Sequence, residues 1–292
     1  MKIAFFAGMN ETDEDKVVRS LVRNDEGLAK HGIRAPGVRR YRRPLRELAE
    51  ARLRGQDMST LGTLVTDQFL KETPNLGRVA LANPAYLAAP RHMFDDGIPL
   101  PEAAARIQVM QSLFPEAEVE IFVALRNPAA FVNTMMKALG DNDVRNYLGG
   151  YDILGFRWSE VVARLRDAAP GVKLTFWANE DAPLIWGTIL REMLGIADED
   201  PIFGDHDLLH DLLLPEGQGL LKQRLGQGTP VGQADRQALA QDLLAEYGDP
   251  EQMWDNVDLT GWSHRTVADM TMAYEEDLDI IANMPGITFI AP

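Results

Sequence analysis

The run Lys2-Ile-Ala-Phe-Phe-Ala-Gly8 continues directly into Met9-Asn-Glu11-Thr12-Asp13-Glu14-Asp15-Lys16. A short apolar stretch ends at a glycine, a polar turn follows, and an amphipathic pattern starts near Asp13. Strand, glycine turn and helix N-terminus are the parts of a phosphate cradle, in which backbone N–H groups and the helix dipole face an anion. The side chains of this turn argue the other way. Glu11, Asp13, Glu14 and Asp15 stand where a cradle carries glycine, lysine and free backbone N–H groups.

Working outward, the same unit recurs. Short β-branched or aromatic runs predict strands over 2–7, 78–82, 118–125, 172–177 and 286–290. The segment Glu118-Val-Glu-Ile-Phe-Val-Ala-Leu125 alternates and then becomes continuously apolar, which suits a strand buried on both faces. Helical periodicity is expected over 13–31, 44–56, 58–71, 101–113, 128–139, 158–168, 182–194, 233–247 and 263–283. Strands alternating with helices imply βαβ crossovers, so the expected fold class is α/β, a three-layer sandwich with a mostly parallel central sheet. The chain reads as one domain over 1–292, with an irregular insertion or lid at about 196–232, where glycine, proline and acidic residues collect. Asn127-Pro128 predicts an N-cap with proline at the first helical position, and Asp181 is a second cap candidate.

Composition narrows the function classes. The 292 residues are 46% hydrophobic, enough for a sizeable core, and carry a net charge of −15. That balance disfavours nucleic acid and anionic membranes as partners and leaves a small-molecule ligand. There is no cysteine, hence no disulfide framework or thiol chemistry. No apolar run approaches the roughly 18 residues of a membrane span, and a cytoplasmic location is expected. Against the acidic background, Arg39, Arg40, Arg42, Arg43 and Arg46 form a local basic cluster.

Arg126 closes the buried strand 118–125 just before a helix, at the carboxyl edge of a parallel sheet, where ligands bind. Thr134 follows about two helical turns later on a similar face. Arginine and hydroxyl together can hold a phosphate by charge-assisted hydrogen bonds; an arginine closing the sheet edge against a carboxylate is the alternative. Trp177-Ala-Asn-Glu180-Asp181 ends a strand at the same edge, so Glu180 could meet a ligand or pair with Arg126. His206 and His210 lie at i and i+4 with carboxylates nearby, a zinc-compatible spacing without a third ligand in the pattern, and no metal is expected.

The order of these pieces resembles the sulfotransferase family, specifically bacterial sulfotransferase-like proteins of P-loop fold. The likeness runs through Gly8 to Thr12, Leu28-Ala-Lys-His-Gly-Ile33, Tyr41-Arg42, Leu87-Ala-Ala-Pro-Arg91, Leu113-Phe-Pro115 and Val119 to Pro128. It ends with Phe176-Trp-Ala-Asn-Glu-Asp181 and Pro285-Gly-Ile-Thr-Phe289, and is weakest over 196–260. The resemblance implies a 3′-phosphoadenosine 5′-phosphosulfate donor lying across the sheet edge and sulfuryl transfer to a hydroxyl acceptor. It assigns Gly8 and Thr12 to the loop around the phosphosulfate and Arg126 and Thr134 to the 3′-phosphate. Arg42 and Glu180 are the further candidates for facing an anion or substrate.

The departures from the family pattern fall on the donor loop. Glu11 takes the place of the lysine, Asp13 of the glycine, Glu14 and Asp15 of the hydroxyl residues, and Pro84 stands about where the family carries its base. Lys16 is the nearest cation, a turn into the helix. Opposite unit charges 4 Å apart are worth about 4 kcal/mol at an effective dielectric near 20. A cation exchanged for an anion loses that attraction and adds a similar repulsion, on the order of a thousandfold or more in affinity. The helix N-terminus offers an anion only about 0.3–1 kcal/mol in return. The expectation is a sulfotransferase-like protein with a catalytically degenerate donor site. The alternatives are a non-catalytic ligand-binding or scaffold protein reusing the cleft, and a metal-dependent hydrolase built on His206 and His210.

Overall fold

Residues Lys2–Gly8 form β1, with Ile3, Phe5 and Ala7 in one core and Ala4 and Phe6 in the other. This two-sided burial is what a continuous apolar run specifies, because successive side chains point to opposite faces. The structure, a computed structural model, describes residues 1–13, 15–56, 73, 75–141, 143–228 and 230–292. The helix expected over 58–71, and Glu14 of the first turn, lie outside the described residues.

The remaining strands are β2 (Ile33–Arg34), β3 (Arg78–Ala82), β4 (Glu118–Leu125), β5 (Lys173–Ala178) and β6 (Thr288–Phe289). They form one six-stranded sheet in the order β2-β3-β1-β4-β5-β6, and every pairing is parallel. The helices begin with α1 (Lys16–Ala29), α2 (Arg42–Leu53), α3 (Ala103–Leu113), α4 (Pro128–Leu139), α5 (Val144–Tyr147) and α6 (Trp158–Ala168). They continue with α7 (Ala182–Leu194), α8 (Asp207–Asp211), α9 (Pro215–Gln227), α10 (Gln233–Tyr247), α11 (Pro250–Met253) and α12 (His264–Ala282).

One face of the sheet packs against α2, α3, α4, α6 and α12, and the other against α1 and α7. The fold is therefore α/β, a parallel sheet between two helical layers. Aromatic side chains fill both cores: Phe5 meets Tyr86 edge-on with centroids 4.8 Å apart, and Phe6 stacks on Trp177 at 5.8 Å. Burying each such ring contributes about 1.5–3 kcal/mol. At the amino ends of the strands, buried Arg78 pairs with Glu120 and donates to the carbonyls of Glu192 and Met193 (2.8 Å each), tying the sheet to the last turn of α7.

Four departures from the sequence expectations have physical causes. Helix α1 starts at Lys16, not near Asp13, because Glu11 and Asp15 take left-handed φ values of 55° and 62°, which a helix interior excludes. Strand β2, two residues at the sheet edge, is too short to leave a pattern. The stretch 196–232, expected to be irregular, carries α8 and α9. Gly217, Gly219 and Gly226 depress the intrinsic helix propensity of α9, and packing overrides it. Leu209, Leu213, Leu221, Ala240 and Leu243 close a small core of their own. Asn127 caps α4 as expected, accepting from the Ala129 N–H at 3.0 Å. Asp181 makes no cap, since it has helical dihedrals at the end of a 3₁₀ turn.

Candidate functional site

β3 lies on one side of β1 and β4 on the other, so the crevice between the carboxyl ends of β1 and β4 is the topological switch point of the sheet. Two segments form its rims: the turn 9–15 after β1, and Arg126-Asn127 after β4.

Gly8 opens the first rim with φ +142°, and a Cβ there would lie 2.6 Å from the carbonyl oxygen of Pro84. Close approach and backbone conformation both demand glycine at this point. Pro84 meets Gly8 through this carbonyl. Gly8→Ala is expected to lower stability by about 1–3 kcal/mol, read as a lower denaturant midpoint at unchanged slope. An unchanged midpoint would show that the turn tolerates a side chain.

The turn is closed by its own polar groups. The Thr12 hydroxyl donates to the Met9 carbonyl at 2.6 Å. Asp13 is buried, and its Oδ2 accepts the Val17 N–H at 2.8 Å. A side-chain carboxylate thus takes the position at the start of α1 that a bound anion would take. Burial, reinforced by neighbouring Asp15, pushes the Asp13 carboxyl up to about 6. Asp15 receives Nη2 of Arg42 at 2.7 Å, while Arg42 Nε donates to the Ala82 carbonyl at 2.9 Å. Lys16 reaches Asp211 on α8 at 3.4 Å. The side chain of Glu11 is exposed, and its carbonyl accepts from Nη1 of Arg126.

Arg126 is the centre of the second rim. It is 8% exposed, and Nη2 reaches both carboxylate oxygens of Asp255, at 2.8 and 2.9 Å. Its own carbonyl accepts the Trp158 indole N–H at 2.9 Å. Asp255 is carried by a strap laid over α4: Asn133 donates to the Asn256 carbonyl at 3.1 Å and accepts the Asp258 N–H at 3.3 Å. The Nε of Arg126 is buried without an acceptor among the described residues.

Glu180 bridges the neighbouring elements. One of its oxygens accepts the Asn127 N–H and the other the Tyr274 hydroxyl, each at 2.8 Å. Burial, with the Glu180 charge beside it, holds the Tyr274 hydroxyl well above its usual range, so it stays a donor. Glu180 therefore joins β5, α4 and α12, while the carboxylate on Arg126 is Asp255. Thr134 is half-buried on α4 and makes no side-chain hydrogen bond among the described residues, to Arg126 or otherwise.

The structure thus brings Gly8, Glu11, Arg126 and Glu180 to one sheet edge and joins Arg42 to the same turn. It does not join Thr12 or Thr134 to Arg126. Asp255 was beyond sequence reasoning: it lies 129 residues from its partner, in a stretch without periodicity. The histidines separate in role. His206 precedes α8 with Nε2 buried and without a hydrogen-bond partner among the described residues, whereas exposed His210 pairs with Asp211 at 3.2 Å. No group of three metal-ligating side chains stands together among the described residues. No helix among the described residues is long and apolar enough to cross a membrane.

No protein-family model matches the chain, and no curated protein matches it at a significant level.

Proposed function

We propose that this chain is a catalytically silent protein on a sulfotransferase-like scaffold, with its donor site occupied by its own carboxylates. The observation that carries the reading is the Arg126–Asp255 pair, in which Nη2 reaches both carboxylate oxygens, at 2.8 and 2.9 Å. A guanidinium holds a carboxylate by the same charge-assisted hydrogen bonds with which it holds a phosphate, so Asp255 stands in for the 3′-phosphate that the family resemblance assigns to Arg126. Asp13 does the same for the phosphosulfate at the start of α1. Glu11, Asp13, Asp15, Glu180 and Asp255 outnumber Lys16, Arg42 and Arg126 around the crevice, so a polyanionic donor meets net repulsion. Pro84, which stands about where the resemblance puts the base, offers no proton acceptor in its side chain.

Calorimetry with adenosine 3′,5′-bisphosphate tests this. The parent chain is expected to give no binding heat up to the millimolar range. Asp13→Asn combined with Asp255→Asn removes two negative charges and frees the guanidinium, and should restore weak binding, at least about tenfold above the parent's limit. Micromolar binding by the parent that is lost in Arg126→Ala would overturn the proposal.

A further inference from the structure

A second concavity has neither Arg126 nor Asp13 in its lining and meets the first turn through Lys16 and its partner Asp211. It is an open cleft of about 790 Å³ between α1, the 3₁₀ turn Val38–Arg40 and α8. Its apolar lining is Val18, Val22 and Val38, and Val22 is 40% exposed there. Arg19, Arg39 and Arg40 add cationic heads to the same walls. Lys16 and Arg23 complete the rim, tied to Asp211 and Asp207 of α8.

Among the described residues that line this hollow, five cations stand with two carboxylates, in a protein of net charge −15. The ion pairs to Asp207 and Asp211 are partly exposed, and pairs of that kind contribute little, so a ligand oxygen can replace either carboxylate. A small hydrated anion would gain nothing from three valines, and a neutral apolar molecule would desolvate charged heads without offering them a counter-charge. The volume lies within the range of small-molecule sites, which are apolar cavities with a few convergent polar groups. We infer that this cleft binds an organic anion: an apolar body set on Val18, Val22 and Val38, carrying a carboxylate or phosphate monoester head held by the surrounding arginines. Guanidinium forks accept both heads, and the ligand series below distinguishes them. The inference does not depend on whether the Arg126 crevice accepts a nucleotide.

The test uses the full chain with decanoate, decyl phosphate, decanol and decyltrimethylammonium, followed by calorimetry and by valine-methyl NMR. At least one of the two anions is expected to bind at least about tenfold more tightly than decanol or the ammonium compound, with the Val18, Val22 and Val38 methyl signals moving most. The anion that binds more tightly identifies the head group. Arg39→Glu and Val22→Asp, both at exposed positions, should each weaken that binding about tenfold while leaving the thermal midpoint near the parent value. Absence of heat with both anions up to the millimolar range would overturn the inference, as would equal binding of decanol. So would binding that ignores both substitutions, or shifts centred on other valines. Adenosine 3′,5′-bisphosphate titrations report on the other crevice, so failure there leaves this result standing.

Discussion

Asp13→Asn is expected to stabilise the protein at neutral pH by up to about 3 kcal/mol, with the gain fading as the pH falls toward 4. The carboxyl is buried, and burial raises it from an ordinary value of 3.8 to about 6 in the folded state. The folded chain therefore binds a proton that the unfolded chain has released across this window. Stability from this group is greatest below the unfolded value and is lost as the pH rises toward about 6. A difference of roughly two pH units at about 1.36 kcal/mol each gives the stated size. Asparagine keeps an oxygen for the Val17 N–H and carries no charge to desolvate, so the substitution isolates the ionisation cost. Denaturant titrations of both proteins at pH 4.5 and 7.5 provide the measurement. A constant difference between them at the two values would refute the electrostatic account. The natural sequence thus keeps a carboxylate that costs stability at the start of α1, where the resembled family binds its donor.

Asp205→Ala should cost about 3–5 kcal/mol, the largest loss of any single substitution considered. Asp205 accepts both Nη groups of Arg191 at 2.8 Å and lies 3.9 Å from Nε of Arg236, all three being buried. Gly187 makes room for this network: a Cβ there would lie 1.9 Å from Asp205 Oδ1. Arg191 also donates to the carbonyls of Gly187 and Asp200, and Arg236 pairs with Asp198, so one carboxylate ties α7 to the 198–205 turn and to α10. Removing it leaves two buried guanidinium groups with insufficient negative charge. A fall in thermal midpoint on the order of 10 °C is expected. Arg191→Met combined with Asp205→Leu should recover part of it, because the uncompensated charge next to α7 goes with its partner. A loss under 1 kcal/mol for Asp205→Ala would mean that water reaches these arginines.

The candidate site was legible in part. Arg126 stood out because a strand buried on both faces ended in a charge, and a parallel sheet puts such ends where ligands bind. A helix start near Asp13 was readable in outline, though the left-handed residues at 11 and 15 moved it to Lys16, with Thr12 closing onto Met9. The basic cluster was visible as a cluster, but its division was not. Arg42 turns to Asp15 and Ala82, Arg43 pairs with Glu47 one turn along α2, and Arg39 and Arg40 line the valine cleft. Which arginine goes where depends on helix phase and on what the sheet places opposite, and neither is a property of the local run.

The amino-acid order by itself determined the alternation of strands and helices, the two-sided burial of β1 and β4, the cap at Asn127 and the negative charge of the first turn. These follow from periodicity, propensity and charge within a few residues. Only the tertiary structure decided that Asp255 closes on Arg126, that Glu180 serves Asn127 and Tyr274, and that Lys16 and Arg39 border the same hollow as α8. Each of these joins residues far apart in the chain. Such pairing is set by how the helical layers settle on the sheet, and a charged side chain carries no local sign of the partner that packing will bring to it.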